Sequence, residues 1–323
     1  MDFVAVSLSS PEEHLRAWHQ LGVDYWKEEL PGVDPIGELE ARADLDSDPT
    51  MQRHGLLGIE DGEVVGAVAY ELPQLEDLDV AWVNVLVDPR HRRRGIGRAL
   101  LSALTDAVAA DGRSRMVSDA RVGGPGELFA EAVGARVTQV DVGSVLAVAS
   151  TDAGSLREFA TPDPAYEVVQ WRDRCPDELV DRFAVARTAM NDAPHGDEPH
   201  DDWGWDAARV RALEERRTRW QVRCYTTVAV HRESGDIGGF TDLLIVDRPT
   251  TASQEDTGVL AAHRGHGLGL SIKAANLLAL LENEPQIRKV MTWNAEGNRH
   301  MRAVNERLGF RVANKWLDLS LKI

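Results

Sequence analysis

One short pattern occurs twice in this sequence, and it constrains the fold more than any other feature. Residues 92–97 (RRRGIG) and 264–269 (RGHGLG) share the spacing Arg-x-x-Gly-x-Gly, about half a chain apart. Each copy follows an apolar segment typical of a strand and precedes an apolar segment typical of a helix. A motif repeated in matched surroundings indicates a duplicated structural unit. The sequence therefore predicts two related units that each contain strands and helices.

Length and composition agree with two domains. A chain of 323 residues is long for a single domain, and 43% hydrophobic with 28% charged residues is ordinary for a globular protein. The stretch 149–164 (ASTDAGSLREFATPDP) is small, polar and proline-containing, which is typical of a linker. The predicted organisation is an N-terminal domain at 1–150, a linker at 151–164 and a C-terminal domain at 165–323.

The predicted elements follow the same order in both halves. A strand and two helices come first, followed by a hairpin, a further strand, the glycine turn and a helix. The matching segments are the hairpins at 55–72 and 222–246, the strands at 80–87 and 257–261, and the helices at 99–110 and 268–281.

Charge and cysteine content exclude several classes of protein. The net charge of -17, from 53 acidic and 36 Lys and Arg residues, argues against a nucleic-acid partner, because phosphate binding favours a basic surface. Two cysteines do not make a disulfide framework. The first residues lack the pattern of a signal peptide, and no apolar run approaches the roughly 18 residues that cross a bilayer. We therefore expect a cytoplasmic protein without a membrane partner.

The glycine turns have the chemistry of an anion site. Glycine lets the backbone turn sharply and approach a ligand, and the first amides of the following helix have no internal partner. These amides and the helix dipole favour a pyrophosphate, to which arginine adds charge-assisted hydrogen bonds. A solvated basic turn is the alternative explanation for a single copy. A dinucleotide-binding fold is disfavoured, because three adjacent strands with hairpin turns precede the motif.

Further segments carry a resemblance to a known family. Residues 85–89 (VLVDP) lead into the first turn, and residues 257–259 (TGV) lead into the second. Asn294, Asn298 and residues 305–310 (NERLGF) follow in the second half. In these segments the chain resembles the GNAT acetyltransferase superfamily, present twice in tandem over nearly the whole chain. The resemblance implies an α/β fold class with two GNAT-like domains, each a mostly antiparallel mixed sheet flanked by helices.

The resemblance also implies acetyl-CoA as the acyl donor, with no metal. Its pyrophosphate is expected on the two turns, and its pantetheine arm between splayed strands that follow and precede each turn. Asn298 matches a family position that contacts this arm. The residues expected to bind acetyl-CoA are Val85, Val87, Arg92, Arg93, Arg94, Gly95, Gly97, Arg98, Val259, Leu260, Arg264, Gly265, His266, Gly267, Gly269, Asn294 and Asn298.

The candidate catalytic residues lie in the C-terminal half. Family members often carry a tyrosine that protonates the leaving thiolate, and the matching positions here are Asn305 and Ala130, neither of which has a proton to give. Glu255 and Asp256 precede the second turn, whereas the matching residues 80–84 contain no carboxylate. Strand alternation places the two acids on opposite faces, and an expected bulge leaves open which one faces the cleft. An ordinary exposed strand pair is the alternative for these acids. We expect chemistry in this half, with the N-terminal half an acetyl-CoA-binding or structural remnant.

The predicted reaction is direct attack by a primary amine on the thioester, with Glu255 or Asp256 as base and a strand amide near Val259 or Leu260 polarising the carbonyl. The acidic, tryptophan-containing stretch 191–205 is expected to cover a small cationic amine, or to be a solvated loop. An acyl-CoA-binding pseudoenzyme and a protein N-acetyltransferase are the alternatives. The identity of the amine and the oligomeric state stay open at this point.

Overall fold

The computed structural model describes residues 1–323 and contains twelve strands and nine α-helices. The strands are β1 (Asp2–Val6), β2 (Met51–Glu60), β3 (Glu63–Pro73), β4 (Val80–Val87), β5 (Arg115–Arg121), β6 (Arg136–Ala147), β7 (Tyr166–Arg172), β8 (Arg223–His231), β9 (Ile237–Ile245), β10 (Thr251–Val259), β11 (Lys289–Ala295) and β12 (Arg311–Lys322). The helices are α1 (Glu12–Glu29), α2 (Glu38–Ala43), α3 (Ile96–Ala110), α4 (Pro125–Val133), α5 (Ala153–Phe159), α6 (Val180–Arg187), α7 (Ala207–Arg219), α8 (Leu268–Asn283) and α9 (Arg299–Arg307).

Unit 1 consists of three segments, Met1–Asp141, His195–Asp201 and Asn314–Ile323. Its strands follow the order β1-β2-β3-β4-β5-β12-β6. Neighbouring strands from β1 to β4 are antiparallel, β4 and β5 are parallel, and β5 and β12 are antiparallel. The parallel pair β4–β5 therefore lies between antiparallel pairs on both sides.

Helices cover both faces of the unit 1 sheet. On one face, α1 buries Leu15, Trp18 and Leu21 against Leu57 of β2. On the other face, α3 buries an apolar stripe at helical spacing, made of Leu100, Leu104 and Val108. Because period-two strands alternate between the two faces, each helix finds its own set of apolar strand residues.

Unit 2 consists of Val142–Pro194 and Asp202–Ala313. Its strands follow the order β6-β11-β10-β9-β8-β7, with β10 and β11 parallel and β7 to β10 antiparallel. Leu277 and Leu280 of α8 lie in one buried cluster, and Phe183 of α6 packs with Phe240 of β9 in another. Unit 2 thus repeats the mixed, mostly antiparallel sheet with helices on both faces.

The two units differ from the predicted domains at three places. The expected linker contains α5, whose Leu156 is buried in the core of unit 2. Residues 142–150 belong to unit 2, and residues 195–201 and 314–323 belong to unit 1. The reason at the carboxyl end is strand pairing, because Trp316 to Lys322 of β12 pair with β5. Such long-range pairing leaves no local signal in the sequence.

Strand β10 also differs from its prediction. It begins at Thr251, whereas the sequence indicated a strand at 257–261. The bulge expected in this strand is confirmed, since the register with β9 shifts between Gln254 and Thr257. None of the helices combines the length and the apolar composition that a bilayer crossing requires.

The pairing of β12 with β5 predicts a stability effect. Leu319 of β12 is 7% exposed and packs with Ala120 and Ala130, so Leu319→Ala should lower the free energy of unfolding by about 2–3 kcal/mol. Val312→Ala on the same strand is the control, because Val312 is 54% exposed. Urea unfolding measures both variants. Equal stability of the two variants would contradict the packing role given to β12.

Candidate active site

The two glycine turns have the same backbone conformation. Arg93 and Gly95 have φ values of 65° and 87°, and Gly265 and Gly267 have φ values of 89° and 69°. Positive φ at the same two positions of each motif produces a left-handed turn that glycine adopts without strain. Arg93 adopts it in the first copy at a cost, because its Cβ is crowded in this region. The duplicated motif is therefore a duplicated turn.

Each turn ends where a helix begins without a side-chain cap. Gly95 precedes α3 and Gly267 precedes α8, and neither helix receives a capping hydrogen bond from a side chain. The amides of the first helical turn consequently remain available to a ligand. This is the geometry that the sequence predicted for a pyrophosphate, and anion binding at either turn stays a prediction.

The first arginine of each motif supports the turn. The Nε atoms of Arg92 and Arg264 each donate to a strand carbonyl, those of Val87 and Val259, at 3.2 Å in both cases. The Arg92 guanidinium also pairs with Glu28 at 2.6 and 2.7 Å, and the Arg264 guanidinium pairs with Asp192 at 2.5 Å. Both arginines therefore tie the turn to the preceding strand and to a carboxylate.

The other basic residues of the turns have different surroundings. Arg94 pairs with Glu60 at 2.8 Å, and the Arg98 guanidinium donates to a helix α4 carbonyl at 2.7 Å. His266 lies 2.9 Å from Asp163. Arg93 is exposed, and Arg92, Arg93 and Arg98 line a cavity that Arg94 does not reach. Three of the four arginines in the first turn thus face a common space.

This cavity lies in unit 1 where β4 and β5 separate. The two strands pair only from Val80 to Trp82 of β4, so Val83–Val87 face a gap. The cavity in this gap has a volume of about 480 Å3, within the range typical of small-molecule sites. Its walls are 83–87 of β4, 92–93 and 95–98 of the turn and the start of α3, 118–121 of β5, 128–130 of α4 and 319–321 of β12, together with Tyr25 and Glu29 of α1. Val85, Val87, Gly95 and Gly97 lie where the sequence predicted, around one space.

Strand alternation divides the β5 residues of the cavity between two faces. Ala120 packs with Ala130 of α4, on the face that α4 covers. Arg121, one residue further, donates to Glu29 of α1 at 2.6 Å, on the opposite face. By the same alternation Asp119 and Ala120 point to opposite faces of the sheet, so Asp119 lies on the side of α1. The cavity therefore has an acidic wall facing α1.

Two further carboxylates adjoin Asp119. Asp318 of β12 is directly opposite Asp119 in the antiparallel pairing. Gln139 of β6 donates to Asp318 at 3.1 Å and to Asp141 at 2.9 Å. Surrounding protein and the nearby acids raise the pKa of Asp119 to about 6 and the pKa of Asp318 to about 7, and burial raises the pKa of Asp141. Carboxylates this close favour shared protonation near neutral pH.

The candidate acids of unit 2 have unequal surroundings. Asp256 accepts from Arg187 at 2.8 Å, and Arg187 also donates to the buried Asp242 at 2.9 Å. Glu255, next to it in the bulge of β10, is at the surface. The surrounding protein, with the negative charge of Asp256, raises the pKa of Glu255 to about 7. Asp256 is therefore held by a cation, whereas Glu255 is the acid suited to accept a proton.

The candidate asparagines of unit 2 contact other parts of the protein. Asn305 is 3% exposed and donates to Asn294 at 2.6 Å. Asn298 begins α9, and its side-chain oxygen accepts from the Met301 amide at 3.2 Å. The Leu260 amide donates to Gly238, so it is not a free oxyanion donor. Their predicted ligand contacts stay predictions, and these hydrogen bonds compete with them.

The stretch 191–205 is divided between the units. Its residues 195–201 belong to unit 1, where Asp201 and Asp77 each accept from the backbone amide of the other at 2.8 and 2.9 Å. Glu198 pairs with Arg115 at 3.3 Å. In unit 2, Trp205 lies beneath the Arg187 guanidinium at 4.1 Å. These contacts hold the stretch, and its role in covering an amine stays a prediction.

Reasoning from the sequence missed the acidic wall of unit 1. The segment 118–121 (SDAR) contains a signal, because alternation separates Asp119 from Ala120. Asp318 and Asp141 carry no such signal, since only the pairing of β12 and the course of β6 bring them to Asp119.

Residues 18–123 match the sequence pattern of the Acetyltransferase (GNAT) family. Over its whole length the chain is similar to the structure of a tandem GNAT protein from the clavulanic acid biosynthesis pathway. The two share 28% identity and a TM-score of 0.84, covering 99% of this chain and 98% of that one. This chain has a tandem GNAT fold. The resemblance noted in the sequence and the predicted fold class are both confirmed, and the family match supports acyl transfer.

Two more distant structures show the same fold. A GCN5-related N-acetyltransferase from Sphaerobacter thermophilus has 16% identity and a TM-score of 0.66, covering 99% of this chain and 95% of that one. A glucosamine N-acetyltransferase region of a fungal GH3 β-N-acetylglucosaminidase has 14% identity and a TM-score of 0.69, covering 99% of this chain and 38% of that one. The comparison of this sequence with curated proteins found no match.

The carboxylates around the acidic wall of unit 1 predict how the stability of the protein depends on pH. The pKa of Asp318 is raised from 3.8 to about 7, so the folded state binds this proton more tightly than the unfolded chain. Stability should therefore fall as pH rises from about 4 to 7. In Asp318→Asn that fall should be smaller, and Asp106→Asn on the exposed face of α3 should leave it unchanged. Urea unfolding at pH 5 and pH 8 measures the difference, and equal slopes for all three proteins would refute it.

The buried ion pairs of unit 2 predict a large loss of stability. Burial raises the pKa of Asp242, but Arg217 and Arg187 outweigh burial and hold this pKa below its ordinary value. Asp242→Asn leaves buried cations without their counter-charge and should lower the free energy of unfolding by about 3–5 kcal/mol. Asp236→Asn, in an exposed turn of the same unit, should change it little. Denaturant unfolding compares the two, and a loss below 1 kcal/mol for Asp242→Asn would be inconsistent with this network.

Proposed function

We propose that this protein is an acetyl-CoA-dependent N-acetyltransferase that transfers an acetyl group to a primary amine of a small molecule by direct attack. One observation carries the proposal: a single cavity in unit 1 joins the uncapped start of α3, the gap between β4 and β5, and an acidic wall. An anion site, a channel for an extended arm and a site for a cation follow one another in this space.

The turn of unit 1 suits a diphosphate. A Cβ added at Gly97 would lie 3.1 Å from the Phe129 ring, so glycine lets α4 pack closely against the start of α3 beside the turn. Gly95 supplies the left-handed conformation that aims the first amides of α3 outward. Arg93 and Arg98 add positive charge along the same wall. These groups would hold the diphosphate of acetyl-CoA.

The gap between the strands suits the arm of acetyl-CoA. Beyond Trp82 the edge of β4 that faces β5 has no partner strand, so backbone groups near Val85 and Val87 are available to amides of the arm. A β4 amide in this stretch would polarise the thioester carbonyl. The thioester carbon would then lie within reach of an amine that enters from the acidic wall.

Two contacts favour unit 1 over unit 2 as the donor site. In unit 2, Asp256 is paired with Arg187, and Asn305 is buried in a hydrogen bond with Asn294. The chemistry that the sequence assigned to the C-terminal half rests on Glu255, whose raised pKa keeps unit 2 as the second candidate. Matched substitutions in the two turns distinguish the units.

The test uses calorimetry with acetyl-CoA and one variant in each turn. Gly97 and Gly269 are each the second residue of their helix, where an aspartate places a negative charge in the anion site. A Cβ at Gly97 would also lie 3.1 Å from the Phe129 ring, whereas at Gly269 the nearest side chain is 4.0 Å away, so Gly97→Ala measures the steric part of the effect. We expect one site per chain, at least a tenfold weaker affinity in Gly97→Asp, and little change in Gly269→Asp.

The opposite order of the two variants would move the donor to unit 2. No heat with acetyl-CoA in the unmodified protein would refute the proposed function. Binding without release of thiol from acetyl-CoA, when kanamycin, glucosamine and putrescine are offered, would favour an acyl-CoA-binding pseudoenzyme. Acetylation of peptides alone would favour a protein N-acetyltransferase.

A further inference from the structure

Asp119 occupies the position where the cavity of unit 1 meets carboxylates from three strands. It lines the cavity on β5, beside Arg121 and across from Tyr25 and Glu29 of α1. We propose that Asp119 is the catalytic base of this protein, accepting a proton from a cationic primary amine that binds against the acidic wall. This inference rests on the proposed function and assigns to unit 1 a reaction that the sequence placed in the other half.

The position of Asp119 relative to the strands supports this role. Ser118 and Ala120 alternate with it and face the side of α4, and the gap beyond Trp82 of β4 lies between the two strands. An amine on the α1 side of β5 therefore approaches the gap from the face opposite α4. Asp119 is the β5 carboxylate on that approach, since the segment has no other acid.

The acids around Asp119 are hydrogen-bonded to other side chains, whereas no cation holds Asp119 itself among the contacts described. Glu29 is 4% exposed and held by Arg121, and Tyr25 has a raised pKa and keeps its proton. Gln139 links Asp141 to Asp318. These are the charged and titratable groups that face Asp119 from α1, β5, β6 and β12.

Asp119 differs from the neighbouring acids because it combines two properties. It lines the cavity, and no arginine pairs with it among the contacts described. Like charges directly opposite each other on paired strands are unfavourable, so the Asp119–Asp318 pair costs stability that a purely structural pair would avoid. Desolvation by the surrounding protein, followed by the charges of Asp141 and Glu29, raises the pKa of Asp119 to about 6, where it is ionised at neutral pH yet basic enough to take a proton.

The reaction balances without another reactant. The acceptor enters as an ammonium ion and gives one proton to the Asp119 carboxylate. The free amine nitrogen then forms a bond to the thioester carbon, the carbon–sulfur bond breaks, and the sulfur leaves with the electron pair. The nitrogen gives its second proton to the departing thiolate, which yields the amide and coenzyme A thiol. Asp119 returns its proton to solvent.

The acidic wall also defines the acceptor. Asp119 lines the cavity, and Asp318 and Asp141 adjoin it without lining the cavity themselves, so together they add a negative potential that favours an acceptor with a second ammonium group beyond the reacting one. We therefore expect a di- or polyamine, such as an aminoglycoside or an aliphatic diamine, to be preferred over glucosamine, which has a single amine. A neutral hydroxyl acceptor gains nothing from this wall.

The experiment measures release of coenzyme A thiol with kanamycin, putrescine and glucosamine, and the pH dependence of kcat/KM for the best of them. For Asp119→Asn we expect kcat/KM to fall about 10²- to 10⁴-fold while the calorimetric affinity for acetyl-CoA stays within twofold. The limb that rises near pH 6 should disappear, and the residual rate should rise toward the pKa of the amine itself. Asp106→Asn is the matched control and should retain the profile of the unmodified protein.

Three results would overturn the inference. The first is Asp119→Asn with unchanged kcat/KM and an unchanged limb near pH 6, while acetyl-CoA still binds. The second is turnover of none of the three amines by the unmodified protein. The third is loss of the rising limb in Glu255→Gln but not in Asp119→Asn, which would assign the base to unit 2. In all three, binding of acetyl-CoA shows whether the proposed donor site survives.

Discussion

The separation of β4 from β5 after three paired residues is the constraint on which the rest of the site depends. Parallel strands that stayed paired to their ends would fill this space with their own hydrogen bonds. Because pairing stops at Trp82, backbone groups of β4 face a cavity in place of a strand. The turn at Gly95 and the uncapped start of α3 follow directly, so free helix amides lie at one end of the gap. The apolar core beneath α3 holds both strands in this arrangement.

The same backbone design appears in both units with different side chains around it. Both turns have left-handed residues at matching positions, and both first arginines donate to a strand carbonyl at the same distance. In unit 2, however, Arg187 links Asp242 with Asp256 at the strand that leads to the turn. In unit 1 the corresponding acids are absent, and carboxylates come from strands on the far side of β5. Duplication has thus kept the backbone while the charged groups have moved.

The sequence predicted what local pattern can encode. Apolar periodicity and turn residues predicted the hairpins, the helices after the turns and the repeated order of elements, and the first glycine of each motif, Gly95 and Gly267, has the positive φ that a turn at this position requires. The unit boundaries could not be predicted in the same way. Residues Trp316 to Lys322 pair with β5, although most of the chain separates the two strands in sequence. Leu156 of the predicted linker is buried because α5 packs in the core of unit 2. Both facts depend on tertiary contacts that composition does not report.

The position of β12 has a consequence for how the molecule is made. A ribosome releases β1 to β5 long before β12, yet Leu319, Ser320 and Leu321 of β12 form part of the wall around the cavity. During synthesis the first unit therefore keeps an open strand edge at β5 until β12 has emerged. The wall of its cavity is completed only then, so a chain terminated before β12 carries the repeated turns but no finished cavity.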